Sequence, residues 1–145
     1  MAEDQLLCTF RLAEHLFGIE ISAVQEVLRR QEITRLPLAS PAVRGVINLR
    51  GRIVPAIDLR RCFEMEPAPR AEESPNIVVR GGTASSVSLL VDEIGDVIEA
   101  PASAYERPPE TLRGRAGELI EGVYKLQDEL LLVLAIGKVL RVAYA

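Results

Sequence analysis

Few side chains in this sequence are capable of chemistry, and their spacing argues against catalysis. An enzyme of this size needs a nucleophile with a base, a metal set, a phosphate cradle or a pair of carboxylates in a cleft. The single histidine, His15, follows Glu14 in a predicted turn and reads as a surface or capping residue. Cys8 and Cys62 are isolated from each other and from His15, which gives no zinc spacing. Gly81-Gly82 marks a turn, but neither a GxGxxG nor a GxxxxGK run is present. Asp92, Glu93 and Asp96 gather around Gly95 without the order of a calcium loop, and read as a solvated turn between strands. No catalytic residue, metal ligand or cofactor is assigned. The chemistry that remains is recognition, and it centres on GVINLRGRIVPAIDL, residues 45–59, where Asn48, Arg50, Gly51 and Arg52 interrupt two apolar runs. A guanidinium at such a place must find a carboxylate or water, and Gly51 allows a turn or a close approach that a side chain would block.

The elements that must carry this stretch follow from composition and period. A chain of 145 residues that is 48% apolar can bury one ordinary core, or two small ones pressed together, so one globular domain is expected. With no Trp, 3 Tyr and 3 Phe, any binding surface must be aliphatic. No apolar run reaches the ~18 residues that span a bilayer, and MAEDQLL lacks the pattern of a secretion signal, which predicts a cytoplasmic protein. Both cysteines read as buried free thiols. Charge is uneven: Arg29 to Arg61 holds eight arginines against Glu32 and Asp58, a net of +6, so the other residues carry −10 of a total of −4. Such a basic segment is either a solvated face or a patch for an acidic partner. Nucleic acid is disfavoured by a pI near 5.1, only 2 Lys and no aromatic residues among the arginines.

In QLLCTFRL, residues 5–12, Leu6, Cys8, Phe10 and Leu12 share one parity, the mark of a half-buried strand, and FGIEI follows as a second strand. Ser22 with Gln25 three residues on predicts a capping box opening a short helix, AVQEVLRR, residues 23–30. RLPLASPAV is a connection. VRGVINLRG and RIVPAIDL read as strands meeting at Arg50-Gly51-Arg52, with Pro55 requiring an edge or a bulge. EMEPAPRAEESP is the linker-like piece, and predicts halves at 1–66 and 75–145 joined by 66–75. Beyond it NIVVR, SVSLLVD, DVIEA, LIEGVYKL and ELLLVLAI read as strands, the last two as a hairpin around Gln127-Asp128. A terminal helix is expected over 136–142. Many short strands on both sides of a linker predict a mainly β fold of two small barrels or sandwiches.

The blocks FGIEISAVQEVL, ITRLP, GVINLRGRIVPAIDLR, LLVDEIGDVIE and GVYKLQDELLLVLAI, in this order over about Leu6 to Leu140, resemble the CheW family of bacterial chemotaxis coupling proteins. The resemblance implies a single CheW-like domain over 1–145, built as two five-stranded barrels similar to Src homology 3 barrels on a shared apolar core. It implies a non-enzymatic adaptor that links the cytoplasmic tip of a transmembrane chemoreceptor to the regulatory domain of a histidine autokinase, at receptor arrays of the inner membrane. A coupling protein of a related pathway, serving pilus motility or development, is the alternative. Receptor binding transfers onto Val24, Glu26, Gly45, Asn48, Arg50 and Gly51, and onto Val97, with Val54 expected beside Val24 and Val46 in an aliphatic groove. The family pattern also brings Glu26 of the expected helix within reach of Arg50. Kinase binding is expected on a separate patch holding Ile33 and Ile77. Ser88, ahead of LLVD, and Cys62-Phe63-Glu64, after DLR, depart from the family pattern.

Overall fold

The computed structural model describes residues 3–81 and 85–144, so Gly82 of the expected Gly81-Gly82 turn lies outside it. Among the described residues, eleven strands form two sheets. A six-stranded sheet runs β8-β1-β2-β11-β10-β9, with β1 Gln5–Leu12, β2 His15–Glu20, β8 Glu93–Ala100, β9 Tyr105–Glu106, β10 Ile120–Lys125 and β11 Leu130–Leu134. A five-stranded sheet runs β3-β6-β7-β5-β4, with β3 Val24–Leu28, β4 Val43–Leu49, β5 Arg52–Asp58, β6 Asn76–Arg80 and β7 Ser86–Leu90. Among the described residues, three short α-helices accompany the sheets: α1 Leu59–Cys62, α2 Gly114–Leu119 and α3 Ile136–Ala143, the last where the sequence predicts it.

The division into halves is corrected by this topology. The chain leaves the six-stranded sheet after β2, builds the whole five-stranded sheet from β3 to β7, and returns at β8. Residues 66–75 therefore connect β5 to β6 within one sheet and do not separate two units. They are held there by Arg30, whose Nε donates to the Glu72 carbonyl at 2.8 Å, and by Arg44, whose Nη1 donates to the Ala71 carbonyl at 3.3 Å. The two returns place β2 parallel to β11 and β5 parallel to β7, while the other pairings are antiparallel.

Three apolar clusters show why the strands assemble in this order. Ile47, Val54, Ala56 and Leu90 fill the five-stranded unit, and Leu7, Ala100, Tyr124, Leu131 and Val133 fill the other. Between the units a larger cluster gathers Cys8, Phe10 and Leu12 of β1, Ile77 and Val79 of β6, Val87 and Leu89 of β7, and Val139 of α3. Strands on the shared core are thus covered on both faces. The half-buried reading of β1 holds for Cys8, Phe10 and Leu12 but not for the other parity, since Leu7 is fully buried and Thr9 is 3% exposed. Phe10 and Phe17 stack in this core at 5.5 Å between ring centroids.

The expected helix over residues 23–30 is absent. A 3-10 turn at Ile21–Ala23 leads directly into β3, where Val24 pairs with Val79 and, after a bulge, Glu26 pairs with Val78. Ser22 does not cap; its carbonyl accepts a hydrogen bond from Arg80. The local capping signal competes with the unpaired edge of β6, and β-branched Val24 and Val27 suit the ladder better than a helix. The β10–β11 hairpin forms as expected, closed by the Leu126 N–H donating to the Glu129 carbonyl at 2.9 Å.

Pro55 is accommodated without an edge strand. β5 lies between β4 and β7, but its parallel ladder to β7 begins at Ala56. On the other side Val46 spends its N–H and carbonyl on Thr34, so Val46 and Pro55 face each other as a non-hydrogen-bonded pair and no donor is needed at Pro55. That Thr34–Val46 bridge ties the chain after β3 to β4, joining the two edges of the sheet into a barrel. Gly45 permits it, because a Cβ there would lie 2.2 Å from the Thr34 carbonyl oxygen and 2.8 Å from Ile33 Cγ2. Gly45→Ala should force the bridge apart and cost roughly 1–3 kcal/mol, read as a lowered midpoint in thermal denaturation.

Cys8 and Cys62 are free and buried, as the sequence predicts. Burial raises both thiols, Cys62 up to about 11, so neither is a thiolate at neutral pH. A disulfide reagent should titrate almost no thiol in the native protein and both in denaturant.

Candidate functional site

The interrupted stretch of residues 45–59 is the β4–β5 hairpin, and its interruption is the turn. Leu49 pairs with Arg52 across a two-residue loop in which Arg50 has φ 51° and Gly51 φ 84°. Positive φ at both positions is the type I′ geometry whose twist matches antiparallel strands. Glycine meets that requirement without steric cost; arginine does not, so Arg50 is held in the left-handed region by its surroundings. The Asn48 side-chain Oδ1 accepts the Gly51 N–H at 2.9 Å and fixes the turn from within.

Arg50 then reaches from the hairpin tip to the opposite edge of the sheet. Its Nη1 donates to Glu26 Oε1 at 2.9 Å, and its Nη2 donates to Glu26 Oε2, a bidentate pair. Glu26 stands on β3, not on a helix, and the pair closes the same gap between sheet edges that Thr34 and Val46 bridge further along. The Glu26 side chain is 28% exposed and that of Arg50 is 70% exposed, so the ion pair is a surface feature. The hydrogen bond from Arg50 outweighs partial desolvation and holds the Glu26 carboxyl below its ordinary range, while the same bond raises the Arg50 guanidinium. Arg52 donates through Nη2 to Ser86 Oγ at 3.1 Å, and Ser86 Oγ donates to Gln25 Oε1 at 2.5 Å. A second polar chain thus links the hairpin to β3 by way of β7.

The remaining expected site residues separate into surface and core. Asn48 is exposed, Gly45 is buried at the bridge, and Val24 is half-buried against the shared core. Val54 is 1% exposed and lies inside the five-stranded unit, so it forms no groove wall; alternation along β5 turns it inward. Ile77 is fully buried in the core between the units and cannot meet a kinase. Ile33 is half-buried on the same unit. Val97 is 53% exposed on β8, in the other sheet. The structure adds two residues that the sequence reading missed, Ile53 at 67% and Val27 at 43% exposure. Ile53 pairs with Asn48 on the outer face of the hairpin, and a strand reading of residues 24–28 would have put Val27 on the face opposite Glu26.

The acids around Gly95 do not form a merely solvated turn. Asp92 accepts from Arg60 Nη2 at 2.6 Å and Nε at 3.0 Å, and from the N–H of Ala13 at 2.6 Å, where Ala13 has φ 54°. The Asp92–Arg60 pair pins the β1–β2 turn to α1, a structural task. Ser88, the departure ahead of LLVD, is fully buried and donates to Asn76 Oδ1 at 2.6 Å, so this polar pair is satisfied within the barrel.

Residues 6–143 match the family model described as the CheW-like domain. The chain belongs to the CheW-like family of chemotaxis coupling proteins. It is 32% identical over 139 residues to the chemotaxis protein CheW of Treponema pallidum (strain Nichols), covering 94% of this chain and 82% of that protein. It is 34% identical over 131 residues to the chemotaxis protein CheW of Klebsiella aerogenes, covering 90% of this chain and 78% of that one. The scaffolding protein TtCheW of Thermoanaerobacter tengcongensis, a crystal structure, superposes with a TM-score of 0.85 at 29% identity, over 94% of this chain and 92% of its own. The CheW-like fold read from the sequence, two barrels on a shared core, is therefore the fold observed, with six and five strands because the two-residue β9 is added to one sheet.

The Glu26–Arg50 pair should show coupling in a double-mutant cycle with Glu26→Gln and Arg50→Gln, the two losses in thermal midpoint summing to more than the loss in the double variant. Because the folded state lowers the Glu26 carboxyl, its stabilisation is present above the ordinary glutamate range and is lost as pH falls through the lowered value. The gap in midpoint between the native protein and Arg50→Gln should accordingly persist at neutral pH and close in acid.

Proposed function

We propose that this chain works as the adaptor of a chemosensory array, holding a chemoreceptor's cytoplasmic tip on the hairpin face and the regulatory domain of a histidine autokinase on another. One observation carries the reading: in a chain that matches the CheW-like domain over residues 6–143, the hairpin's polar residues are displayed at the surface. Arg50 accepts a left-handed backbone and a mostly exposed side chain, which a turn with no task beyond reversal would fill with Asn-Gly. Asn48, Arg50 and Glu26 offer fixed polar contacts, and exposed Ile53, paired with Asn48, offers aliphatic area for an apolar receptor helix. Val24, half-buried behind this face, positions it more than it contacts a partner, and Val97 is an outlying receptor contact on the other sheet. Of the two residues first assigned to the kinase, Ile33 alone keeps a place near the surface.

A second reading has its own support. The chain is 29% identical over 115 residues to the protein PilI of Pseudomonas aeruginosa, covering 79% of this chain and 64% of that protein, and a coupling role in pilus motility would use the same surfaces.

Arg50→Glu should abolish co-sedimentation with receptor-containing membranes and leave binding to the purified kinase intact. The charge swap Glu26→Arg with Arg50→Glu should restore the thermal midpoint without restoring receptor binding, because the pair re-forms while the displayed charges are reversed. Unchanged receptor binding in Arg50→Glu, or equal loss of both partners, overturns the assignment of separate faces.

A further inference from the structure

Val24 and Leu28 lie four apart on β3, yet Val24 packs on the core shared between the units and Leu28 on the core inside the five-stranded barrel. Alternation in a regular strand puts residues an even number apart on one face, so a single extra residue must intervene. The register locates it. Val24 pairs with Val79 and Glu26 with Val78, two steps along β3 against one along β6, which makes Gln25 the bulged residue. In an unbroken ladder Gln25 would stand opposite Val78, and Glu26 opposite Ile77, whose side chain enters the shared core. The bulge instead puts Glu26 opposite Val78, on the face that Leu28 turns toward the barrel, and there Arg50 meets it.

A bulge leaves one residue out of the ladder, so the backbone at Gln25 needs another restraint. Ser86, the first residue of β7, is 4% exposed and shares the parity of Leu90, which packs inside the barrel. Its Oγ donates to Gln25 Oε1 at 2.5 Å and accepts from Arg52 Nη2 at 3.1 Å, so one buried hydroxyl is held from both sides. Arg80, opposite Ser86 in the β6–β7 ladder, donates to the Ser22 carbonyl and ties the chain just ahead of the bulge. Leu28 anchors the strand beyond it.

We propose that Ser86 is a positioning residue for the Glu26–Arg50 pair, clamping Gln25 in the bulge and so aiming Glu26 at the hairpin tip. Arg52, two residues after Arg50, orients the clamp from the hairpin side. Without the hydroxyl, Gln25 Oε1 loses its donor and Arg52 Nη2 its acceptor. The carboxylate of Glu26 then samples positions where Arg50 cannot engage both of its oxygens, and a bidentate pair depends on that geometry. That the displayed pair serves a receptor rests on the proposed function; the clamp itself does not.

The test is a carboxyl-carbon NMR titration of Glu26 in the folded whole chain. Arg50 holds this carboxyl below the ordinary glutamate range. In Ser86→Ala and, separately, in Gln25→Met it should climb back toward that range, and the Glu26–Arg50 coupling in the double-mutant cycle should shrink by about twofold or more. Ser86→Thr keeps the hydroxyl and should hold the carboxyl low. Asp92→Asn, which loosens the β1–β2 turn, should lower the thermal midpoint and leave the Glu26 carboxyl where it is, so a general loss of stability is told apart from a loss of aim. A carboxyl that stays low in both Ser86→Ala and Gln25→Met overturns the proposal, as does a rise in Ser86→Thr equal to that in Ser86→Ala. Undiminished receptor binding in Arg50→Glu would undo the receptor reading and leave these titrations unchanged, which keeps the two failures distinct.

Discussion

The structure depends on one constraint, that the strands between the two units must be buried on both faces. Ile77 and Val79 of β6 and Val87 and Leu89 of β7 point into the shared core, while Val78 and Ser88 of the same strands point into their own barrel. Each fully buried aliphatic side chain contributes on the order of 1.5–3 kcal/mol, and a small barrel alone offers few such positions. Two barrels that share one core bury more apolar surface than either could separately. The interleaved topology follows, because β1 and β2 must lie against strands that come later in the chain.

Closure of the five-stranded barrel is the second consequence. Its edges, β3 and β4, carry unpaired backbone groups that would invite aggregation if left open. Three devices join them: the Thr34–Val46 bridge made possible by Gly45, the Arg50–Glu26 pair, and the Arg52–Ser86–Gln25 chain. Closure and display are therefore the same interaction seen from two sides. The side chains that seal the barrel's edge are also those with polar atoms left toward solvent, which is how a chain without catalytic groups can present a defined surface.

The arginine-rich segment is likewise more than a solvated face. Arg44 and Arg60 form part-buried pairs with Asp58 and Asp92, Arg30 and Arg44 tie down the β5–β6 connection, and Arg50 and Arg52 join sheet edges. Guanidinium suits these tasks because it donates in several directions at once and its charge is never lost. The acids that receive these bonds come from β3, from the start of α1 and from the β7–β8 turn, so three of the segment's eight arginines, Arg44, Arg50 and Arg60, are paired in space.

Sequence alone determined the β class, most strands, the terminal helix, the buried thiols and the family, since all of these rest on period, composition or an ordered set of short blocks. It also brought Glu26 to Arg50, through the family pattern. It failed where a local signal was overruled by a distant partner. The Ser22–Gln25 capping box predicts a helix over 23–30, but β6 offers Val24 to Leu28 a ladder, and long-range hydrogen bonds won over a cap. The proline-rich piece at 66–75 has the composition of a linker, yet sheet membership is decided by which faces are buried, and that is a property of the assembled core. Val54 and Ile77 show the same limit at single residues. Alternation marks them as apolar members of strands, but only the packing of two barrels against each other decides that both face inward and that Ile53 and Val27 face out.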